Sequence, residues 1–285
     1  MAGNSQSESV ITSLNSPHID LVQSLQSSRG KKLRDAQNLF IAEGLQSVRE
    51  ALISKIPHFS LDTLYLTEAA LSRYSGELSL DFHRAKDLKL VLVSEQVMRA
   101  MTSAESPQGI LAICRVKPEL DLWSFLSSSN LGSLKKIAYF WQIQDPGNAG
   151  AVIRSADACG FDAVVFSNES VDIYNPKTVR ATAGSLWHIP VFGHVNLEEL
   201  FEKSATLNLN IFGLAAESKN SITNAVTELD QQRSSVWCFG NEARGLPELP
   251  KSVQLVSIPM RGGAESFNLA AAAAIVMYLV ANSSH

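Results

Sequence analysis

The sequence predicts an α/β protein in which a parallel sheet flanked by helices forms the second part of the chain. Residues 136–167 alternate an apolar strand, a helix and another apolar strand, and the strands of such a unit pair in parallel through a right-handed crossover. Two later β-type runs, Val236–Phe239 and Leu255–Ile258, each end in a loop rich in small residues. A shorter α/β pattern precedes them, which indicates a separate small domain.

The first domain is predicted to span residues 17–117, after a Ser-, Asn- and Gln-rich tail (residues 1–16) that is expected to be disordered. Apolar spacing predicts helical structure over residues 17–56, broken near 27–34 and by a short strand. The other elements alternate, and Ser94 is the expected N-cap of the last helix. They are a strand over Phe40–Gly44, a helix over Leu45–Ile53, a strand over Leu61–Leu66, a helix over Glu68–Tyr74, a strand over Lys89–Val93, a helix over Ser94–Met101 and a strand over Ile110–Val116.

The second domain is predicted to span residues 136–285, after a linker over residues 118–135. The sequence Asp145–Gly150 is expected to be a turn that leads into a helix over Ala151–Cys159, which Gly160 ends. The remaining predicted elements are strands over Lys136–Gln144, Ala163–Ser167, Val191–Phe192, Ile211–Ala215, Val236–Phe239 and Leu255–Ile258, and helices at Asn175–Arg180, Leu197–Ser204, Ser221–Val226 and from Ser266 onward.

Charge gives little support for a broad nucleic-acid surface, because the formal net charge is −4. The acidic excess lies in residues 118–285, so any such surface must be a local patch. One candidate is the cluster of cations in the sequence SSRGKKLR. Two interpretations stay open, a solvated helix face and a patch that contacts phosphates. The cations are Arg29, Lys31, Lys32 and Arg34.

Cysteine usage indicates a reducing compartment and no metal site. Cys114, Cys159 and Cys238 are far apart and form no CxxC pair, and the histidines show no metal-ligand spacing. Cys159 and Cys238 have apolar neighbours in the sequence and are expected to be buried. The N-terminus has no secretory pattern, and the apolar run Phe267–Val280 is short for a bilayer span, which takes ~20 residues. A cytoplasmic location without membrane contact is therefore expected.

Several nucleotide and acyl-transfer sites are excluded by their missing motifs. The sequence DPGNAG lacks the G-x-G-x-x-G fingerprint of a dinucleotide site, no Walker A motif is present, and no serine lies in G-x-S-x-G. The loops 240–245 and 259–265 combine glycines with charged residues, as a ligand site at the carboxyl edge of a parallel sheet requires. The alternative is a pair of ordinary strand-to-helix turns.

Arg154 is the residue that stands out beside these loops, because it is expected one turn into the helix that follows DPGNAG. An arginine in this place is also compatible with a solvated cation or an ion pair. Asn148, Glu242, Ser266 and Asn268 are polar residues in or next to the loops, and all four are also plausible caps or turn formers. Ser266 is the expected N-cap of the last helix.

Three blocks carry a more specific signal. QDPGNAGAVIRSADACGFDAVV, FGNEARGLP and IPMRGGAESFNLA occur in this order, and they resemble the three motifs of the SpoU/TrmH branch of the SPOUT RNA ribose methyltransferases. The resemblance covers residues 137–282. The preceding RGKKLR…FIAEG and SPQGILAI resemble the substrate-binding domain of rRNA-modifying members, which has a ribosomal-protein-type fold. Ala243 replaces a common glycine, and Phe267-Asn268-Leu269 replaces the commoner Leu-Asn-Val.

The resemblance implies a methyltransferase that uses S-adenosylmethionine to methylate a ribose 2′-hydroxyl of structured RNA, rRNA before tRNA. It also implies a deep trefoil knot in the C-terminal domain and a homodimer formed through that domain. The alternative on the same fold is a non-catalytic protein that binds RNA or an adenosyl ligand. A nucleotide-dependent oxidoreductase is disfavoured because its fingerprint is missing.

The resemblance also suggests roles for individual residues. The adenosyl group is expected to contact Gly240, Ile258, Met260, Phe267 and Asn268. Arg154 corresponds to the family's arginine and is expected to grip a phosphate or polarise the 2′-oxygen. A guanidinium, with a pKa above ~12, keeps its proton and is a poor base. The residues expected to orient Arg154 and the ribose are Asn148, Glu242, Ser266 and Asn268, and those expected to hold the RNA backbone are Arg29, Lys31, Lys32 and Arg34.

Overall fold

The computed structural model describes residues 10–82, 88–117, 121–127, 134–229 and 232–283. The chain divides into two compact units, Met1–Pro118 with Tyr174–Arg180, and Glu119–Ile173 with Ala181–His285. Of the predicted disordered tail, residues 1–9 lie outside the described residues, and Ile11 forms a β-bridge to Val93. Of the predicted linker, residues 118–120 and 128–133 lie outside the described residues.

The first unit contains a four-stranded sheet in the order β1-β4-β2-β3. β4 is antiparallel to both of its neighbours, and β2 and β3 are parallel. The Ser94 hydroxyl accepts from the backbone N–H of Val97 at 3.3 Å, so the predicted N-cap is confirmed. The elements are α1 (Pro17–Gln26), α2 (Lys31–Gln37), β1 (Leu39–Glu43), α3 (Leu45–Ile53), β2 (Phe59–Leu66), α4 (Glu68–Phe82), β3 (Lys89–Leu92), α5 (Glu95–Met101) and β4 (Ile110–Val116).

The second unit contains a sheet in which every neighbouring pair of strands is parallel. The order is β10-β8-β9-β5-β6-β7, so the predicted parallel sheet is confirmed. The elements from residue 121 onward are α6 (Leu122–Ser127), β5 (Lys136–Phe140), α7 (Pro146–Ala158), β6 (Ala163–Phe166), α8 (Pro176–Ala181), a 3₁₀ turn (Ser185–Trp187), β7 (Val191–Phe192), α9 (Leu197–Thr206), β8 (Leu209–Leu214), α10 (Ile222–Thr227), β9 (Ser234–Phe239), β10 (Gln254–Val256) and α11 (Leu269–Asn282).

The central strands β5 and β9 are apolar along nearly their whole length because both faces of the sheet are covered. Tyr139 and Cys238 are paired neighbours across these two strands, and both are fully buried. Burial raises the pKa of the Cys238 thiol, so this group stays protonated and unreactive. Cys159 was expected to be buried, but it is partly exposed because it lies just beyond the last turn of α7.

Membrane-spanning helices and clusters of metal ligands are both absent from the described ranges. No helix there is both long enough and apolar enough to cross a bilayer. Within the same ranges, no three His, Cys, Asp or Glu side chains are clustered as metal ligands.

Candidate active site

The carboxyl ends of β5, β9 and β10 lie at one edge of the parallel sheet, and the loops that follow these strands form the candidate site. The loops cover residues 141–145, 240–253 and 257–268. In a parallel α/β sheet, the loops at this edge are where ligands bind. The described contacts join these loops to each other through polar side chains.

The N-terminus of α7 brings the first polar side chain into the site. The helix begins at Pro146, not at Ala151 as predicted, because Asp145 is its N-cap and proline is favoured at the first helical position. The Asp145 carboxylate accepts from the backbone N–H of Asn148 at 2.7 Å. The predicted turn Asp145–Gly150 is therefore mostly helical, and the Asn148 side chain projects from the first turn of α7.

The N-terminus of α11 brings a second amide to the site. Asn268 is the N-cap of this helix, because its side-chain oxygen accepts from the backbone N–H groups of Ala270 at 2.9 Å and Ala271 at 3.3 Å. The prediction that the helix begins at Ser266 and is capped by it was wrong. Ser266 is exposed in the segment before the helix. The N-cap is Asn268, two residues further along the chain.

Asn268, Asn148 and Glu242 form a chain of hydrogen bonds that joins the N-termini of α11 and α7 to the loop after β9. Asn268 Nδ2 donates to Asn148 Oδ1 at 3.2 Å, and Asn148 Nδ2 donates to Glu242 Oε1 at 3.3 Å. Both amides have a determined orientation: the oxygen of Asn268 is occupied by the helix cap, and a carboxylate can only accept. The chain therefore ends at the Glu242 carboxylate, whose second oxygen, Oε2, has a long contact of 3.5 Å from Asn241 Nδ2.

Asn241 fixes the loop that carries Glu242. This side chain is 8% exposed, and its oxygen accepts from the backbone N–H groups of Ala243 at 3.0 Å and Arg244 at 3.2 Å. Its Nδ2 donates to the carbonyl of Gln142 at 2.8 Å. Backbone bonds between Asn241 and Gly245 close the turn, so the position of Glu242 is set by a buried amide.

The glycine at position 240 has a structural reason. A Cβ at Gly240 would collide with the backbone of Gly245 and Leu246, because the loop folds back over its own first residue. The close approach that the sequence predicted is therefore made by the chain to itself. It gives no information about a ligand.

The segment 258–268 presents apolar side chains of the kind that an adenine ring contacts. Met260 is 38% exposed and Phe267 is 43% exposed, and Ile258 is less exposed than either. A Cβ at Gly262 or Gly263 would meet nothing within 4 Å, so the backbone between these apolar residues is open. The exposed apolar side chains and the open backbone fit an adenine ring, and the side-chain amide of Asn268 fits the attached ribose.

Arg154 lies farther along α7 than predicted. Because the helix starts at Pro146, Arg154 is more than two turns from the N-terminus of α7, roughly 9 Å along the axis from Asn148 and about 120° around it. Its side chain is exposed. The hydrogen bonds of the described residues join Asn148, Glu242 and Asn268, but they do not include Arg154 or Ser266.

The predicted cation patch of the first unit divides into two kinds of residue. Arg29 and Lys32 are exposed, and Lys31 forms an ion pair with Asp35 at 2.8 Å. Arg34 is only 2% exposed and donates from Nη1 to the carbonyl oxygens of Leu25 and Ser27. The prediction that Arg34 holds RNA is corrected, because its guanidinium ties the end of α1 to α2 inside the fold.

Asn241 and Gln142 were missed from the sequence, although one signal for Asn241 was available. Asparagine side chains in turns commonly accept from the backbone N–H two residues further on, and Asn241 does so in GNEARG. Gln142 has no such signal. It adopts a left-handed conformation with φ +50°, and its contacts come from loops that are distant in sequence.

Comparison with known proteins identifies the family. The model described as the SpoU rRNA Methylase family matches residues 135–278, just over half of the chain. The chain belongs to the SpoU rRNA methylase family. This confirms the resemblance carried by the three sequence blocks, and it places all three loops of the candidate site inside the matched region. A second model, the MRM3-like substrate binding domain, matches residues 19–112.

Individual relatives cover nearly the whole chain. The 23S rRNA (guanosine(2553)-2'-O)-methyltransferase RlmP of Bacillus subtilis is 33% identical over 87% of this chain and 90% of its own length. An uncharacterized tRNA/rRNA methyltransferase of Synechocystis is 28% identical over 94% of this chain and 92% of its own. The AdoMet-bound rRNA methyltransferase from Sinorhizobium meliloti has a similar crystal structure, with a TM-score of 0.78, 27% identity and coverage of 95% and 97%.

Proposed function

We propose that this SpoU family member is an S-adenosylmethionine-dependent RNA methyltransferase that methylates a ribose 2′-hydroxyl of rRNA. The observation that carries the proposal is the hydrogen-bonded chain from Asn268 through Asn148 to Glu242. It links the starts of two helices with the loop after β9, at the sheet edge where ligands of parallel α/β proteins bind. The three relatives described above are named as methyltransferases of rRNA or of tRNA/rRNA.

The methyl donor is proposed to lie against segment 258–268 and the loop after β9. Bound S-adenosylmethionine supplies an electrophilic methyl carbon that its sulfonium charge activates. The chain contributes apolar surface from Met260, Phe267 and the partly buried Ile258, and backbone groups near Gly240. Asn268 is held by its helix-cap bonds, so it presents a fixed amide to the donor or to the ribose.

The target ribose is proposed to be oriented by Asn148 and Glu242, with Ser266 as a further hydroxyl contact. Alignment of the 2′-oxygen with the methyl carbon is the main task, because orientation can supply a large part of the barrier reduction. As the O–C bond forms, the C–S bond of the donor breaks and S-adenosylhomocysteine leaves, while the hydroxyl proton passes to solvent. Arg154 keeps its proton, so its proposed role is to donate to the target phosphate or to the 2′-oxygen. It is exposed on α7 and accessible to RNA.

The first unit is proposed to hold the RNA backbone. We assign residues 17–117 to substrate binding and residues 136–285 to catalysis, joined by the linker 118–135. Arg29 and Lys32 are exposed cations. Lys31 can bind a phosphate when its surface ion pair with Asp35 breaks. Such contacts give affinity without reading sequence. The substrate domain matched over residues 19–112 supports this assignment.

A homodimer formed through α7 and α11 is part of the proposal. These helices line an open, largely apolar hollow of about 460 Å³ that includes Cys159, Ile275 and Leu279. Tyr278, which also lines the hollow, is 63% exposed. A second copy is the proposed occupant, since a two-fold contact between identical apolar faces is self-complementary. Sedimentation equilibrium is expected to show a dimer for the wild type and a monomer for Tyr278→Glu, and a wild-type monomer would contradict the assignment.

Two finer features complete the proposal. The stretch from the loop after β9 to α11 is proposed to follow the family's deep trefoil path. A cytoplasmic location is proposed because the three cysteines are free thiols, as a reducing compartment favours.

The direct test is methyl transfer from labelled S-adenosylmethionine to unmodified rRNA, followed by alkaline hydrolysis. A 2′-O-methyl group removes the nucleophile of alkaline cleavage, so we expect the label in a hydrolysis-resistant dinucleotide. Label released with single nucleotides would indicate base methylation and contradict the proposal. Binding of donor and RNA without transfer would favour the non-catalytic alternative.

A further inference from the structure

Arg244 lies beside the candidate active site in an arrangement that the proposed chemistry does not use. Its guanidinium carbon is 5.5 Å from the centroid of the Trp141 ring, and its Nη2 donates to Gln142 Oε1 at 2.5 Å. The side chain is exposed, and the ring beneath it packs partly against the core of the sheet. The guanidinium therefore has a rigid aromatic support on one side and solvent on the other.

The orientation of Gln142 is fixed from both ends. Its Nε2 donates to the carboxylate of Glu169 at 2.8 Å, so its oxygen points to Arg244. A carboxylate only accepts and a guanidinium only donates, which leaves one orientation for the amide between them. The backbone of Gln142 is held as well, by Ser167 Oγ at its N–H and by Asn241 Nδ2 at its carbonyl. Gln142, which orients Arg244, is thus held by residues that follow the strands of the sheet.

The charge of Arg244 is left uncompensated by this arrangement. In the ranges that the structure describes, no carboxylate lies within ion-pairing distance of Arg244. Two other arginines of the same ranges, Arg49 and Arg115, are paired with Glu50 and Asp62 at 2.8 Å. A cation that is positioned but not neutralised is prepared to bind an anion, because little side-chain entropy is lost on binding.

A second cation of the same unit provides a contrast. Lys203 Nζ lies 4.1 Å from the centroid of the Trp123 ring, but Glu199 neutralises it at 2.7 Å. Lys203 is near the C-terminus of α9, the helix that leads into the amino end of β8. Among the described residues of this unit, a cation lies over a tryptophan ring at Lys203 and at Arg244, and of these two it is Arg244, beside Glu242, that has no carboxylate partner.

We propose that Arg244, stacked on Trp141 and oriented by Gln142, binds an RNA phosphate next to the target ribose. The inference rests on the proposed function for the identity of the ligand. A guanidinium donates two parallel N–H groups to a phosphate, and its planar face stays on the indole while it does so. Arg244 is two residues from Glu242, so a phosphate held there belongs to the target nucleotide or to its neighbour. Its role is substrate positioning.

The test compares Arg244→Ala, Arg244→Lys, Trp141→Leu and the matched control Lys203→Ala. Filter binding to transcribed 23S rRNA is measured between 50 and 200 mM KCl. For Arg244→Ala we expect about tenfold weaker binding and a salt slope reduced by about 1. Arg244→Lys and Trp141→Leu keep the charge, so they should keep the slope while binding more weakly. Lys203→Ala should match the wild type.

Calorimetry with S-adenosylmethionine separates positioning from loop damage. Arg244→Ala should bind the donor like the wild type, and a loss of donor binding would overturn the phosphate assignment. An unchanged salt slope in Arg244→Ala would also overturn it, while wild-type methyl transfer would leave the proposed function standing. If the wild type transfers no methyl group, the proposed function is contradicted. If Arg244→Ala nevertheless lowers the salt slope of RNA binding, the phosphate contact is supported.

Discussion

The side-chain amide of Asn268 donates to the side-chain oxygen of Asn148 at 3.2 Å, across 120 residues of sequence. The same Asn268 side chain caps α11 through its oxygen, and Asn148 passes the contact on to Glu242. One residue therefore couples the start of a helix to the polar centre of the site. Its two functions, capping and orienting, use different atoms and can be separated by substitution.

Asn268→Ser is expected to keep the cap and lose the contact with Asn148. A serine hydroxyl accepts from the first backbone N–H groups of a helix, but it is too short to donate across to Asn148. Thermal unfolding should therefore change little, while single-turnover methyl transfer should fall roughly 10- to 100-fold.

The matched variant for this prediction is Asn268→Ala, which removes both contacts. It should show the same kinetic loss together with about 1 kcal/mol lower stability from the lost cap. Methyl transfer by Asn268→Ser at the wild-type rate would show that the bond to Asn148 has no part in the reaction.

The cations of the first unit are expected to separate by exposure. Replacement of Arg29 and Lys32 together by glutamine should lower the salt slope of RNA binding by about 2, because both side chains are exposed. The free energy of unfolding should stay the same. A salt slope equal to that of the wild type would show that Arg29 and Lys32 do not contact RNA phosphates and are only solvated surface cations.

Arg34→Gln serves as the comparison in the same segment. It removes the same charge but also a buried donor to the carbonyls of Leu25 and Ser27. We expect a loss of about 1–3 kcal/mol in urea denaturation, with the salt slope of the folded protein unchanged. A stable Arg34→Gln variant with a reduced slope would reverse the assignment.

His58 is expected to make the stability of the protein depend on pH. It is 7% exposed and packs edge-on against Phe59, and burial lowers its pKa below the ordinary 6.5. The unfolded chain therefore takes up a proton near pH 6.5 that the folded chain does not. The contribution of His58 is present above this pH, and the free energy of unfolding falls as the pH falls below it.

Urea denaturation at pH 7.5 and pH 5.5 measures this effect. His58→Phe keeps an aromatic ring and cannot titrate, so the loss of stability on acidification should be smaller than in the wild type. His18 has a lowered pKa as well, but it is present in both proteins and cancels in the comparison. An equal loss in both proteins would exclude His58 as a source.

For the second unit, the sequence was sufficient to predict the strands and their parallel arrangement, since continuous apolar runs that alternate with helices are typical of parallel sheets. β4, β7 and α3 have the predicted bounds. The helix starts at the site were less accessible. Asp145 followed by Pro146 is a start signal that the glycines of DPGNAG obscured, and Ser266 resembled a cap more than Asn268 did. In the structure the cap is the asparagine directly before the apolar run.

Contacts between distant loops could not be predicted from one sequence. Gln142 and Arg244 meet only because β5 and β9 are neighbours in the sheet, and the strand order was not predictable. Arg34 and Arg29 lie in the same cation-rich stretch, SSRGKKLR, and the sequence does not distinguish them. The difference is that the carbonyls of Leu25 and Ser27 converge on the Arg34 guanidinium, which is a property of how α1 and α2 pack.

The most direct test of the account is Arg154→Ala, measured by calorimetry with S-adenosylmethionine and by single-turnover methyl transfer to rRNA. Arg154 is exposed on α7 and outside the hydrogen-bonded chain of the site, so its removal should leave the fold and the donor affinity within a few-fold of the wild type. Lys203→Ala is the control for a lost surface cation. We expect Arg154→Ala to bind the donor and to transfer no methyl group, whereas transfer at the wild-type rate would contradict the role proposed for Arg154.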